Sequence, residues 1–201
     1  LNESFKLAMP QSPELAGGEG FTFEGDAAAF YLTALLAEAY APGIDDRTVV
    51  QVSVQQRDFG EPLDDVIVDF EDTSKNPARL SLQVKRSLTI SSAKTNKDFR
   101  EIIRDSWATL NKSDFRFNVD RYGAAVGTVT PAKERALKTL CDWARESLTA
   151  DHFHSTRPKP SQSKCSQLSA TVPTALKVGM EHSSQHALQS WCNTLHIVTR
   201  Q

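Results

Sequence analysis

The sequence predicts an α/β (α+β) fold, a mixed four-stranded sheet flanked by helices, on three observations. Between residues 48 and 87, three β-branched or alternating segments follow one another across short turns. An Ala- and Leu-rich segment at helical spacing precedes them. A helical segment, a small-residue strand and a further helix follow, so the order reads α-β-β-β-α-β-α.

Residues 1–20 read as an N-terminal arm ending in the glycine-rich "GGEG", and 21–150 as the folded domain. From Phe23 to about Tyr40, "FEGDAAAFYLTALLAEAY" carries Ala and Leu at helical spacing until "APG" stops the run. "TVVQVSVQQ" (48–56) alternates and is β-branched, the mark of a strand. "DDVIVDFE" (64–71) follows the turn "DFGEPL", and "ARLSLQVKRS" (78–87) follows the turn "DTSKNP". Connections this short make the three strands an antiparallel meander. "KDFREIIRDSWATLN" (97–111) is a helix, "YGAAVGTVT" (122–130) a strand, and Pro131 opens a helix to about Leu148. After Asp151 the chain turns rich in Ser, Pro, Gln and Thr, as a linker does. "ALQSWCNTLHIV" (187–198) then resumes a helix or a strand, so 151–201 reads as a linker and the start of a following segment.

At 201 residues, 39% hydrophobic and with a net charge of −2, the chain has room for one domain of about 150 residues and something more. No continuous apolar run marks a secretory signal or a membrane span. Cys141, Cys165 and Cys192 lie far apart, which excludes a CxxC metal motif and makes a reducing cytoplasm the simplest setting. A start at Leu1 and a stop at Gln201 suggest a piece of a longer polypeptide. No GxxxxGK[ST] occurs, and no strand precedes "GGEG", so neither phosphate-binding loop is present. His182 and His186, at i and i+4, lack a third ligand in view.

The chemistry concentrates around "LQVK". Gln83 and Lys85 share one strand face, and Leu82 and Val84 the other. A symmetric turn over 72–77 places Asp65 near Lys85, to within a couple of residues, on the same face as Gln83. Asp64 then goes to the face of Val66 and Val68, unless the strand bends. Glu24 stands three, four and seven residues before Ala27, Ala28 and Tyr31, on the packing stripe of the first helix. A carboxylate there wants a partner. Two carboxylates, an amide oxygen and a lysine form a hard-oxygen cradle for Mg²⁺, or Mn²⁺ in its place. Such a centre suits phosphodiester hydrolysis.

Plainer readings stand beside each residue. Gln83 and Lys85 suit the wet face of a half-buried strand. Glu24 suits the dipole of a helix's first turn. Asp64 and Asp65 suit the end of a turn, and Asp120 a turn or a cap. Arg86, Lys94, Lys97, Arg100 and Arg104 offer cations to phosphates. Asp98, Glu101 and Asp105, interleaved with them, equally suit a solvated, salt-bridged helix face.

With these residues in this order, the sequence resembles the restriction-endonuclease-like nucleases that carry a PD-(D/E)xK motif. Glu24 in "FEGDAAAFYL", Asp65 in "LDDVIVDF" and Gln83 with Lys85 in "LQVK" match the motif over residues 18–148. Within that superfamily, "GGEGFTFEGDAAAFYLTALL" together with "LDDVIVDF" is similar to N-terminal nuclease domains of bacterial antiphage proteins. The resemblance implies a restriction-endonuclease-like α-β-β-β-α-β core and a Mg²⁺-dependent endonuclease acting on double-stranded DNA in the cytoplasm. It implies that Glu24, Asp65 and Gln83 hold the metal and that Lys85 serves the water. It also implies fusion to or assembly with a larger NTPase or sensor, activity as a homo-oligomer, and no membrane partner. Two departures stand out: Gln83 replaces the usual second acid, and Pro62 lies three residues before Asp65. A catalytically inactive nucleic-acid-binding or assembly module of the same fold, or an RNA-cutting variant, remains open.

Overall fold

The structure, a computed structural model, describes residues 18–91, 95–146 and 195–199. Lys94, His152, His154, His182, His186, Cys165 and Cys192 lie outside them, as does the linker expected after Asp151. The elements are α1 (Gly18–Leu36), β1 (Thr48–Val54), β2 (Val66–Glu71), β3 (Pro77–Ser87), α2 (Lys97–Leu110), β4 (Arg121–Thr128), α3 (Pro131–Glu146) and β5 (Leu195–Thr199).

All four expected strands join one mixed sheet in the order β1-β2-β3-β4-β5. β1, β2 and β3 pair antiparallel, while β3, β4 and β5 run parallel. The sheet therefore has one strand more than expected. Leu195–Thr199, from the segment read as helix or strand, pairs with β4 from Tyr122 to Val126.

Alternation in β2 and β3 divides the sheet into two faces. Val66, Val68 and Phe70 on β2 and Leu80, Leu82 and Val84 on β3 form a core with Ala28 and Tyr31 of α1. Leu82 is fully buried, which contributes about 2 kcal/mol. On the other face α2, with Phe99, Ile102 and Ile103 buried, packs against β4. Asn96 caps α2 by accepting from the peptide N–H of Phe99.

α1 begins at Gly18, so most of the "GGEG" expected in the arm forms its first turn. It stops at Leu36, ahead of "APG". Glu38 turns left-handed at φ +50, and Tyr40 already bridges to Thr48 at the start of β1. The other end of α1 is fixed by a close approach. A β-carbon on Gly127 of β4 would lie 2.6 Å from the Arg86 carbonyl and about 3 Å from the Phe23 ring. Only glycine lets Phe23 settle there, and this seats the first turns of α1, Glu24 included, over the C-terminal ends of β3 and β4.

Candidate functional site

Why Asp65 meets Gln83 follows from the β2–β3 hairpin. Its loop is Asp72–Asn76, between the paired residues Glu71 and Pro77. The Asp72 carboxylate accepts from the peptide N–H of Ser74 at 2.8 Å and of Asn76 at 2.9 Å, and Lys75 sits left-handed at φ +65. This five-residue loop is one residue shorter than the expected turn. The ladder closes with Val66 opposite Leu82, and one step on Asp65 stands opposite Gln83 rather than Lys85.

Asp65 lies just before β2 and is 9% exposed; Gln83 is 8% exposed. The Gln83 side-chain amide donates to Asp65 Oδ2, and the Val84 peptide N–H donates to the same oxygen at 2.6 Å. No described residue donates to Oδ1. Burial pushes the Asp65 carboxyl up, against the Val84 N–H; neighbouring Asp64 raises it further, while Lys85 and the Gln83 amide lower it. Lys85 follows on the same face, half-buried and near enough for its charge to act on Asp65. The structure thus brings Asp65, Gln83 and Lys85 together.

Glu24 is half-buried and joins this group through an intermediary that the sequence reading missed. Gln55, directly after β1, donates from its side-chain amide to Glu24 Oε2 at 3.0 Å. Its peptide N–H donates to the Asp65 carbonyl at 3.3 Å. No residue type announces such a bridge, because it depends on Gln55 lying at φ +55.

Asp64 does not join Val66 and Val68, since β2 begins only after it. Arg57, in a 3₁₀ turn at Arg57–Phe59, pairs with Asp64 at 2.6 Å and with Asp105 of α2 at 3.5 Å. Its guanidinium pKa rises through the Asp64 hydrogen bond. This ties the segment carrying Asp65 to α2. Arg104 is likewise engaged by Asp105 at 2.8 Å.

Of the cations considered for phosphate contact, Arg86 is exposed at the end of β3, right after Lys85. Lys97 is exposed and Arg100 half-buried at the start of α2. Asp120 is an anchor: 3% exposed, it accepts from the peptide N–H groups of Arg79 and Arg116, both at 2.8 Å. It also pairs with the Arg116 guanidinium at 2.8 Å. It lines a polar cavity of about 290 Å³ with Glu61, Arg79 and Lys112, at the other end of β3 from Lys85. Glu61 there pairs with both Arg79 and Lys112, at 3.2 and 2.7 Å, while Arg79 also pairs with Asp69 at 2.8 Å and Lys112 with Asp114 at 3.6 Å.

Among the described residues, no three His, Cys, Asp or Glu side chains converge on a metal-sized point. The oxygen donors at Asp65 are one carboxylate and one amide, with Glu24 beyond Gln55. That set is hard and sparse, which suits Mg²⁺ retaining several waters and does not suit Zn²⁺. The Gln83 amide N–H, not its oxygen, faces Asp65, because two oxygens there would repel. No helix among the described residues is long and apolar enough to cross a membrane. No family model, curated protein or solved structure matches this chain.

Proposed function

We propose that this chain is a Mg²⁺-dependent endonuclease domain of the PD-(D/E)xK type, hydrolysing phosphodiester bonds of double-stranded DNA. The observation that carries the reading is the row at the start of β2 and the end of β3. A buried carboxylate with an oxygen to which no described residue donates faces an amide, and a half-buried lysine stands two residues further along the strand. Asp65 and the Gln83 oxygen would hold the cation, with Glu24 completing the set. When bound, the cation supplies positive charge against the phosphate and makes water more acidic. Lys85 orients the attacking water and stabilises charge developing on the phosphate oxygens. Exposed Arg86, with Lys97 and Arg100 at the start of α2, supports contact with the DNA backbone. The strand order and the mix of pairings support the restriction-endonuclease-like core. Service as an effector in bacterial antiphage defence, fused to or assembled with an NTPase or sensor and active as a homo-oligomer, belongs to the same proposal and rests on the resemblance of "GGEGFTFEGDAAAFYLTALL" and "LDDVIVDF" to such nuclease domains.

Relaxation of supercoiled plasmid by the purified chain tests the reading. Cutting with Mg²⁺ or Mn²⁺ that stops with EDTA supports it. Tight DNA binding without cutting under either metal favours the inactive module instead.

A further inference from the structure

The geometry points to Gln55 as a positioning residue of the candidate metal site, one that acts by holding Glu24. The inference rests on the metal-site reading above and adds a residue to it.

Gln55 is placed by backbone rather than by packing. β1 ends at Val54, and the next residue turns to φ +55, a region that residues with a β-carbon seldom enter. Such a conformation persists where its surroundings over-determine it. Here the Gln55 and Gln56 peptide N–H groups donate to the carbonyls of Asp65 and Asp64, at 3.3 and 2.9 Å. The Gln56 side chain donates back to the Val54 carbonyl at 2.7 Å. These bonds splice the exit of β1 onto the segment that delivers Asp65. The left-handed turn then carries the Gln55 amide to Glu24 Oε2 at 3.0 Å.

Gln55 thereby touches two elements that approach the site separately. Its main chain registers the Asp65 segment, and its side chain orients the Glu24 carboxylate on α1. An amide N–H donated to a carboxylate favours the ionised form and fixes the plane of its oxygens. Hydrogen bonds of this outer kind orient metal ligands, and their loss commonly weakens metal affinity by about 10-fold or more.

Gln55→Asn separates positioning from folding. Asparagine tolerates the left-handed backbone better than glutamine, yet its amide is one methylene too short for the same reach. Titration of the full chain with Mg²⁺ by calorimetry, alongside metal-free thermal melting, reads both. Expected is a Kd raised about 10-fold with melting at or above that of the parent. The same substitution in a Glu24→Ala background should change Kd no further, since the carboxylate it positions is gone. An unchanged Kd for Gln55→Asn, or equal losses with and without Glu24, overturns the inference and leaves the site reading standing. A parent chain that binds no Mg²⁺ overturns both.

Discussion

Gln83 and Asp65, eighteen residues apart in sequence, face each other at the mouth of the β2–β3 hairpin, with the amide donating to the carboxylate. Gln83→Glu removes that donor and sets two acids side by side. Without metal, the variant should lose about 2 kcal/mol, the typical worth of a hydrogen bond to a charged group. With Mg²⁺ it should bind more tightly and recover more melting temperature than the parent. Calorimetry decides: an unchanged Mg²⁺ affinity places Gln83 outside the coordination set.

Burial and the charge of Asp64 hold the Asp65 carboxyl above the ordinary carboxylate range, and Val84, Lys85 and Gln83 offset this only in part. The folded chain therefore takes up this proton at a higher pH than the unfolded chain. The protonated form favours folding. Its contribution is complete below the ordinary carboxylate value and is lost as pH rises through the raised one. Asp65→Asn should flatten that part of the stability profile and melt slightly above the parent at pH 7, by within about 1 kcal/mol. Mg²⁺ competes with the same proton, so its affinity for the parent should fall as pH drops through the raised value. A substantial loss of stability in Asp65→Asn at pH 7 would contradict this.

Lys85→Ala separates chemistry from binding. Cleavage should fall by about two to three decades, while Mg²⁺ and DNA affinities stay close to those of the parent. Stability should fall by no more than about 1 kcal/mol, since among the described residues the Lys85 ammonium makes no hydrogen bond or ion pair and acts on Asp65 only through its charge. Normal cutting by this variant would return Gln83 and Lys85 to an ordinary strand face.

Asp120→Ala supplies the opposite control. It strands the half-buried peptide N–H groups of Arg79 and Arg116 and breaks a close ion pair. The expected cost is about 3 kcal/mol, seen by denaturant titration, with Mg²⁺ affinity unchanged. A milder loss would mean that water replaces the carboxylate.

Much of this arrangement is legible in the sequence because strands have a two-residue period. Leu82 and Val84 go to the α1 core, and Gln83 and Lys85 to the other face, whatever the details of the turn. The register of Asp65 was legible only to within two residues, because it depends on whether Asp72 closes a five- or six-residue loop. The Glu38 turn, which ends α1 early, and the Gln55 turn, which reaches Glu24, were not legible. Both depend on left-handed backbone at residues other than glycine, which composition does not mark. Arg57 escaped notice because its partners, Asp64 and Asp105, are brought to it only by tertiary packing. β5 was ambiguous for a related reason, since a segment as short as Leu195–Thr199 shows its type only beside β4.

The most direct test puts the parent, Asp65→Asn and Lys85→Ala through one purification and one plasmid assay with Mg²⁺. The parent should nick or linearise plasmid, EDTA should stop it, and both variants should fall by at least about 100-fold while remaining folded. Equal cutting by all three, or none by the folded parent with either Mg²⁺ or Mn²⁺, would contradict it.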